Sequence, residues 1–186
     1  MIKKNFEIGN LDQSLNIILF YGKNEGAKKE EIAKLLLKNK DKQVFSYDEK
    51  QVLDNSENFY NEILSKSLFN NKKIIIINRT SDKFTKIIEE LITRDTSDTL
   101  IIINAAILEK KSKLRSFFEK SKSFGVTACY QDNEITIKKI IMERLNGYQG
   151  LTSQVTNLIT QSTGLDRNKV NNEIDKIICC FKDKKI

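Results

Sequence analysis

A chain of 186 residues with 39% hydrophobic and 31% charged side chains can close one ordinary core, with room for a small appendage, and is neither disordered nor membrane-embedded. Histidine is absent, which excludes Ser-His-Asp and Cys-His catalysis and every zinc site that needs an imidazole. The formal net charge of +7 fits a polyanionic partner, but it comes from 27 Lys and only 5 Arg in a chain that is also rich in Ile and Asn. Such a bias follows A/T-rich codons, and Arg is the side chain of choice for bidentate phosphate and guanine contacts.

In chain order, residues 17–21 (Ile-Ile-Leu-Phe-Tyr) form a compact apolar run that ends at Gly22 and predicts a strand. A helix is expected next, with Ile32, Leu35 and Leu36 on its inner face and Lys28, Lys29, Glu30 and Lys34 more exposed. A second strand fits 43–47, and a helix fits 58–65 with Phe59, Ile63 and Leu64 at core spacing. The β-branched run after Lys73 predicts a central strand covered on both faces, as in parallel sheets. Thr80, Ser81 and Asp82 offer N-caps for a helix carrying Phe84, Ile87, Ile88, Leu91 and Ile92. Residues 99–103 repeat the buried-strand pattern, a helix spans 113–122 with Leu114, Phe117 and Phe118 inward, and 126–130 predicts a fifth strand.

Beyond Glu134 only helices are expected, over 135–147, 153–162 and 166–181, with Gly164 ending the second and Asp166 capping the third. The alternation predicts a parallel, doubly wound α/β domain over 1–133 and a three-helix unit over 134–186. No apolar run approaches a bilayer span, and the N-terminus lacks a signal-peptide core, so a cytoplasmic location is expected. Cys129, Cys179 and Cys180 have no metal-ligand spacing and are expected to be buried free thiols. Tyr21, Tyr47 and Tyr130 are expected at core or core-edge strand positions.

A strand ending in Gly, a Lys-bearing loop and a helix is where a phosphate loop of spacing G-x-x-x-x-G-K-[ST] sits. From Gly22 the chain reads Gly-Lys-Asn-Glu-Gly-Ala-Lys-Lys, so Ala27 stands at the second glycine and Lys29 at the magnesium-binding hydroxyl. Lys28 alone matches the phosphate lysine, and Glu25 sets a carboxylate where phosphate oxygens would lie. The later strands end in Asn78 and Asn104 rather than acidic residues, leaving no magnesium ligand and no group to orient water. Asp82, Glu89, Glu90 and Asp98 are scattered and do not pair for acid–base work. The segment therefore predicts retained architecture without hydrolysis, with no metal and no cofactor. The alternative is a divergent NTPase that binds or hydrolyses ATP through Lys28 or Lys23. Lys110, Lys111, Lys113 and Arg115 form a basic cluster that either faces DNA or is the solvated face of a helix.

Several stretches, in this order, resemble the delta subunit of the bacterial DNA polymerase III clamp loader. They are 18–25 (Ile-Leu-Phe-Tyr-Gly-Lys-Asn-Glu), Ser67-Leu68-Phe69 followed by the strand from Lys72, and 108–115 with Phe118-Glu119-Lys120. Ala128-Cys129-Tyr130 and 172–177 (Asn-Glu-Ile-Asp-Lys-Ile) complete them. The resemblance implies a P-loop NTPase-like sheet of the RecA/AAA+ type, a three-helix lid and a C-terminal helical collar, the last expected to be missing from this chain. It implies a role in DNA replication without catalysis by this chain, as a subunit of a DNA-directed DNA polymerase holoenzyme in the nucleoid-associated replisome. Ser67, Leu68 and Phe69 would insert into a pocket of the sliding clamp (the beta subunit) and help to open it. The remaining implied partners are the gamma/tau and delta prime subunits and primer-template DNA met through the assembled complex, with no membrane. On the residues alone, Leu68 and Phe69 either pack locally or protrude toward a partner, and a nucleic-acid-binding domain working through its charge stays open.

Overall fold

The computed structural model describes residues 3–4, 16–65, 72–121 and 123–181. Contacts divide the chain into two compact units: Met1–Lys23 with Lys28–Cys129, and Asn24–Ala27 with Tyr130–Ile186.

The first unit is built on a parallel sheet. Its described strands are β1 (Lys3–Lys4), β2 (Ile17–Tyr21), β3 (Gln43–Asp48), β4 (Lys73–Thr80), β5 (Thr99–Ala105) and β6 (Gly125–Ala128). They lie in the order β1-β6-β2-β5-β4-β3, with every pairing parallel. The five anticipated strands are all present, and Lys3–Lys4 adds a short edge pairing beside β6. The intervening helices are α1 (Glu25–Lys38), α2 (Glu49–Asp54), α3 (Ser56–Leu64), α4 (Thr85–Leu91) and α5 (Lys113–Lys120). Parallel strands need crossovers, and these helices supply them.

The apolar runs go where a two-sided sheet requires. Every residue of β2 is buried, as are the first five of β4. Ile17, Leu19, Tyr21, Ile75, Ile77, Ile101 and Ile103 share one face and pack with Val52, Phe59, Ile63, Phe84, Ile88, Leu91, Leu114 and Phe118. The alternate residues Ile18, Phe20, Ile74, Ile76 and Ile102 are buried as well, because successive side chains of a strand point to opposite faces. β3 is the edge strand, so Val44 is exposed while Phe45 and Tyr47 pack on the core.

Caps set the helix starts. Ser81 accepts from Lys83 N–H ahead of the short 3-10 turn that leads into α4, and Ser112 accepts from Arg115 N–H at α5. Asp82 Oδ1 then accepts from the Ser112 hydroxyl and, at 3.1 Å, from Leu114 N–H. The helix α2 was not anticipated. Its six residues bury only Val52, too little for a 3.6-residue period to register. Tyr130 also departs from expectation: it lies beyond β6 and is exposed.

The second unit contains α6 (Glu134–Arg144), α7 (Ser153–Thr163) and α8 (Arg167–Cys180). Each packs on the other two around Ile137, Ile141, Leu145, Ile159, Val170 and Ile174. Asn133, Thr152 and Asp166 are their N-caps, and Gly164 closes α7 in the left-handed conformation at φ 58°. Arg144 on α6 reaches Asp175 on α8 at 2.7 Å and Asn171 at 3.0 Å. Cys179 and Cys180 are exposed, against the expectation of burial, because they lie at the end of α8 beyond the last core residues; Cys129 is buried. Among the described residues no helix is long and apolar enough to cross a membrane.

Candidate functional site

Open α/β sheets bind ligands beyond the carboxyl ends of their strands, where neighbouring connections depart in opposite directions. Here that place is β2 against β5 and β6: the chain leaves β2 for the far edge at β3 and returns to β5 before crossing to β6. At the carboxyl ends of these strands the chain's own groups bond to one another. Gly22 N–H donates to the Ala106 carbonyl at 3.0 Å, and Cys129 N–H donates to the Tyr21 carbonyl at 2.7 Å. Gly22 takes φ 128°, and a Cβ there would sit 2.3 Å from the Cys129 carbonyl oxygen. Only glycine admits that approach.

Lys28, expected on the outer face of α1, is instead 2% exposed and donates from Nζ to the Ala105 carbonyl at 2.7 Å. A buried ammonium needs such acceptors, and the carbonyl at the end of β5 is one. Ala27 is fully buried, while Lys23, Glu25 and Lys29 are exposed. One row over, Asn104 Nδ2 donates to Asn78 Oδ1 and Asn78 Nδ2 donates to Ser46 Oγ, both at 3.0 Å. This ladder of two neutral amides and a hydroxyl runs across β5, β4 and β3, at positions that carry no carboxylate for a magnesium ion. Among the described residues no group of three His, Cys, Asp or Glu is placed to hold a metal ion.

The second unit holds a cluster that sequence reasoning missed. Asn24, Asp132 and Arg167 are each at least nine-tenths buried. Arg167 Nε donates to Asp132 Oδ2 at 2.8 Å, and Nη2 donates to Oδ1. Asn24 Nδ2 donates to Asp132 Oδ2 at 2.7 Å and to the Tyr130 carbonyl at 3.0 Å, while its Oδ1 accepts from Ala27 N–H at 3.0 Å. The available signal was weak: Arg167 is one of five arginines, in the first turn of a helix.

Ser67, Leu68 and Phe69 lie outside the described residues, but both flanks of that segment are described. Lys73, at the start of β4, is buried and donates from Nζ to the carbonyls of Glu62 at 2.8 Å and Ser65 at 2.6 Å, and to Ser65 Oγ at 2.9 Å. One ammonium therefore caps the carboxyl end of α3 and ties it to the strand across the intervening segment. The basic cluster divides. Lys110, Lys111 and Lys113 are exposed, whereas Arg115 turns inward to Glu119 at 2.7 Å and the Leu108 carbonyl at 3.3 Å, with its guanidinium 5.0 Å from the Tyr21 ring centre. Arg115 is thus committed to packing α5 against β2, and of the four only the lysines project into solvent.

A family model described as DNA polymerase III, delta subunit, matches residues 18–130, which takes in β2 through β6 and the segment tied by Lys73. The chain belongs to the DNA polymerase III delta subunit family. A curated relative, the probable DNA polymerase III subunit delta of Rickettsia prowazekii (strain Madrid E), is 26% identical over 176 residues, 88% of this chain and 50% of the relative. The delta-family chain described here thus spans about half the length of the curated relative it matches. Among solved structures, the DNA clamp loader delta protein of Bacillus subtilis superposes with a TM-score of 0.64 at 13% identity, covering 97% of this chain and 59% of that one. That likeness extends the delta-subunit fold over the helical unit beyond residue 130.

Proposed function

We propose that this delta-family chain is a non-catalytic part of a clamp loader, which binds the sliding clamp through Ser67, Leu68 and Phe69 and favours its open form. The observation that carries this reading is the family match over 18–130, a span that contains the Leu-Phe pair. The stem of that segment supports it, since Lys73 holds the end of α3 to the start of β4. Burying one Leu and one Phe contributes roughly 3–6 kcal/mol before association costs, the scale of an interface hot spot. A protein that binds an open ring better than a closed one shifts the ring toward opening without hydrolysis of its own.

The bonds at the strand ends fit the same reading. With Lys28 bonded to Ala105 and amides in place of carboxylates at the strand ends, ATP chemistry falls to other subunits of the loader. Contacts with gamma/tau and delta prime subunits, and with primer-template DNA through the assembly, belong to this proposal. So do a cytoplasmic location and a division at 133/134 into a P-loop-like domain and a lid.

The test is capture of a purified sliding clamp by the wild-type chain and by Leu68→Ala/Phe69→Ala. Capture by the wild type, lost in the double variant with Tm changed by less than roughly 2 °C, is the expected result. Retained capture overturns the clamp contact, and a double variant that melts far lower assigns the pair to packing instead.

A further inference from the structure

We infer that Asp132 is a built-in anion, its carboxylate occupying a site made for a small oxyanion between Asn24, in the loop after β2, and Arg167, in the first turn of α8. Arg167 presents a two-pronged fork to Asp132, the geometry by which guanidinium groups hold carboxylates and phosphates alike. Asn24 adds a carboxamide donor to the same carboxylate oxygen at 2.7 Å. All three side chains are at least nine-tenths buried, so leaving the guanidinium without an anion beside it is costly. The fit extends to the backbone. Gly26 lies so close to α8 that a Cβ on it would meet Arg167 Cβ at 2.8 Å and Asn168 N at 3.0 Å.

Asn24 and Gly26 belong to the segment where the sequence places a phosphate loop. In nucleotide-binding sheets a bound phosphate is the anion that gathers groups around such a loop. Asp132 does this from within the chain, so the Asn24–Ala27 segment is fastened to α8 by the chain's own carboxylate. Once the carboxylate is deleted, the guanidinium and the carboxamide still converge on the space it filled, and they suit inorganic phosphate or acetate.

The test is chemical rescue in the full chain. Thermal unfolding of Asp132→Ala is followed in inorganic phosphate and in sodium chloride of equal ionic strength. Phosphate should raise its Tm several degrees more than it raises that of the wild type, and the excess should vanish in Asp132→Ala/Arg167→Met. Equal shifts in all three proteins overturn the inference. Arg167→Lys, which keeps the charge and loses the fork, gives a second readout by hydrogen exchange. Amides of residues 24–27 should exchange at least about tenfold faster while those of Ile75 and Ile102 keep their protection. Unchanged exchange at 24–27, or an equal rise across the strands, overturns it as well.

Discussion

Gly22 and Asp82 show how single residues carry this structure. Gly22 combines φ 128° with a carbonyl oxygen 2.3 Å from where a Cβ would stand, so Gly22→Ala meets backbone strain and a clash together. Loss of roughly 2–4 kcal/mol of stability is expected, read as a lower urea midpoint at unchanged m-value. Asp82 is governed by charge. The hydrogen bond from Ser112, helped by the backbone N–H groups of Leu114 and Lys113, holds its carboxyl below the ordinary value of 3.8. A carboxyl lowered on folding stabilises above its unfolded pKa, and that contribution is lost as pH falls through the folded one. Asp82→Asn should therefore lower the urea midpoint at pH 7, and its curve should converge with the wild type's below about pH 4. Parallel curves down to pH 2 would remove Asp82 from the acid limb. A glycine after β2 was legible in the phosphate-loop spacing. Its cause was not, because the carbonyl that enforces it belongs to Cys129, which follows the neighbouring strand β6 but lies far along the chain.

At the level of elements, two helix ends matter most. The carboxyl end of α3 is capped by Lys73 from the next strand, so Ser65 and Lys73 are bonded to each other. Lys73→Met should cost about 1–3 kcal/mol and weaken clamp capture with Leu68 and Phe69 still in place, as measured by a binding titration beside a melting curve. Unaltered capture would leave Lys73 a purely structural role. Gly164 ends α7 at φ 58° with open space around it, so an added methyl group would meet only backbone strain. Gly164→Ala should lose about 1 kcal/mol, and Gly164→Asn less, since Asn visits the left-handed region more readily. The strands and the longer helices were legible from their periods; α2, with one buried residue, carried too little pattern to be seen.

For the whole molecule, the sheet order places β2 between β5 and β6, and Gly22, Tyr21 and Lys28 bond to Ala106, Cys129 and Ala105 at the carboxyl end of those strands. A ligand that binds the folded state alone with micromolar Kd would, at 1 mM, stabilise it by about 4 kcal/mol. For a chain of this size that is a Tm rise on the order of 8–16 °C. No measurable rise is expected with 1 mM magnesium-ATP, and a rise of that order would restore the NTPase alternative. The basic surface separates in the same way. Lys110, Lys111 and Lys113 are exposed beside an Arg115 turned inward, so the cluster offers point charges without the guanidinium fork that reads bases.

Sequence by itself was enough for the parallel sheet, because β-branched runs such as 74–77 can be buried on both faces only between crossovers. It also carried the expectation of lost phosphate chemistry, because Ala27, Lys29, Asn78 and Asn104 are not the residues that chemistry uses. The family resemblance on Ser67, Leu68 and Phe69 was legible in the same way, since it rests on residue order. Tertiary structure alone decided that Lys28 turns inward to Ala105, that Arg115 packs on Tyr21, and that Asp132 joins Asn24 to Arg167. Periodicity tells which face of a helix or strand a side chain occupies. It does not tell which atom from a distant part of the chain will stand within hydrogen-bond reach, and Lys28 and Asp132 each bond to such a distant partner.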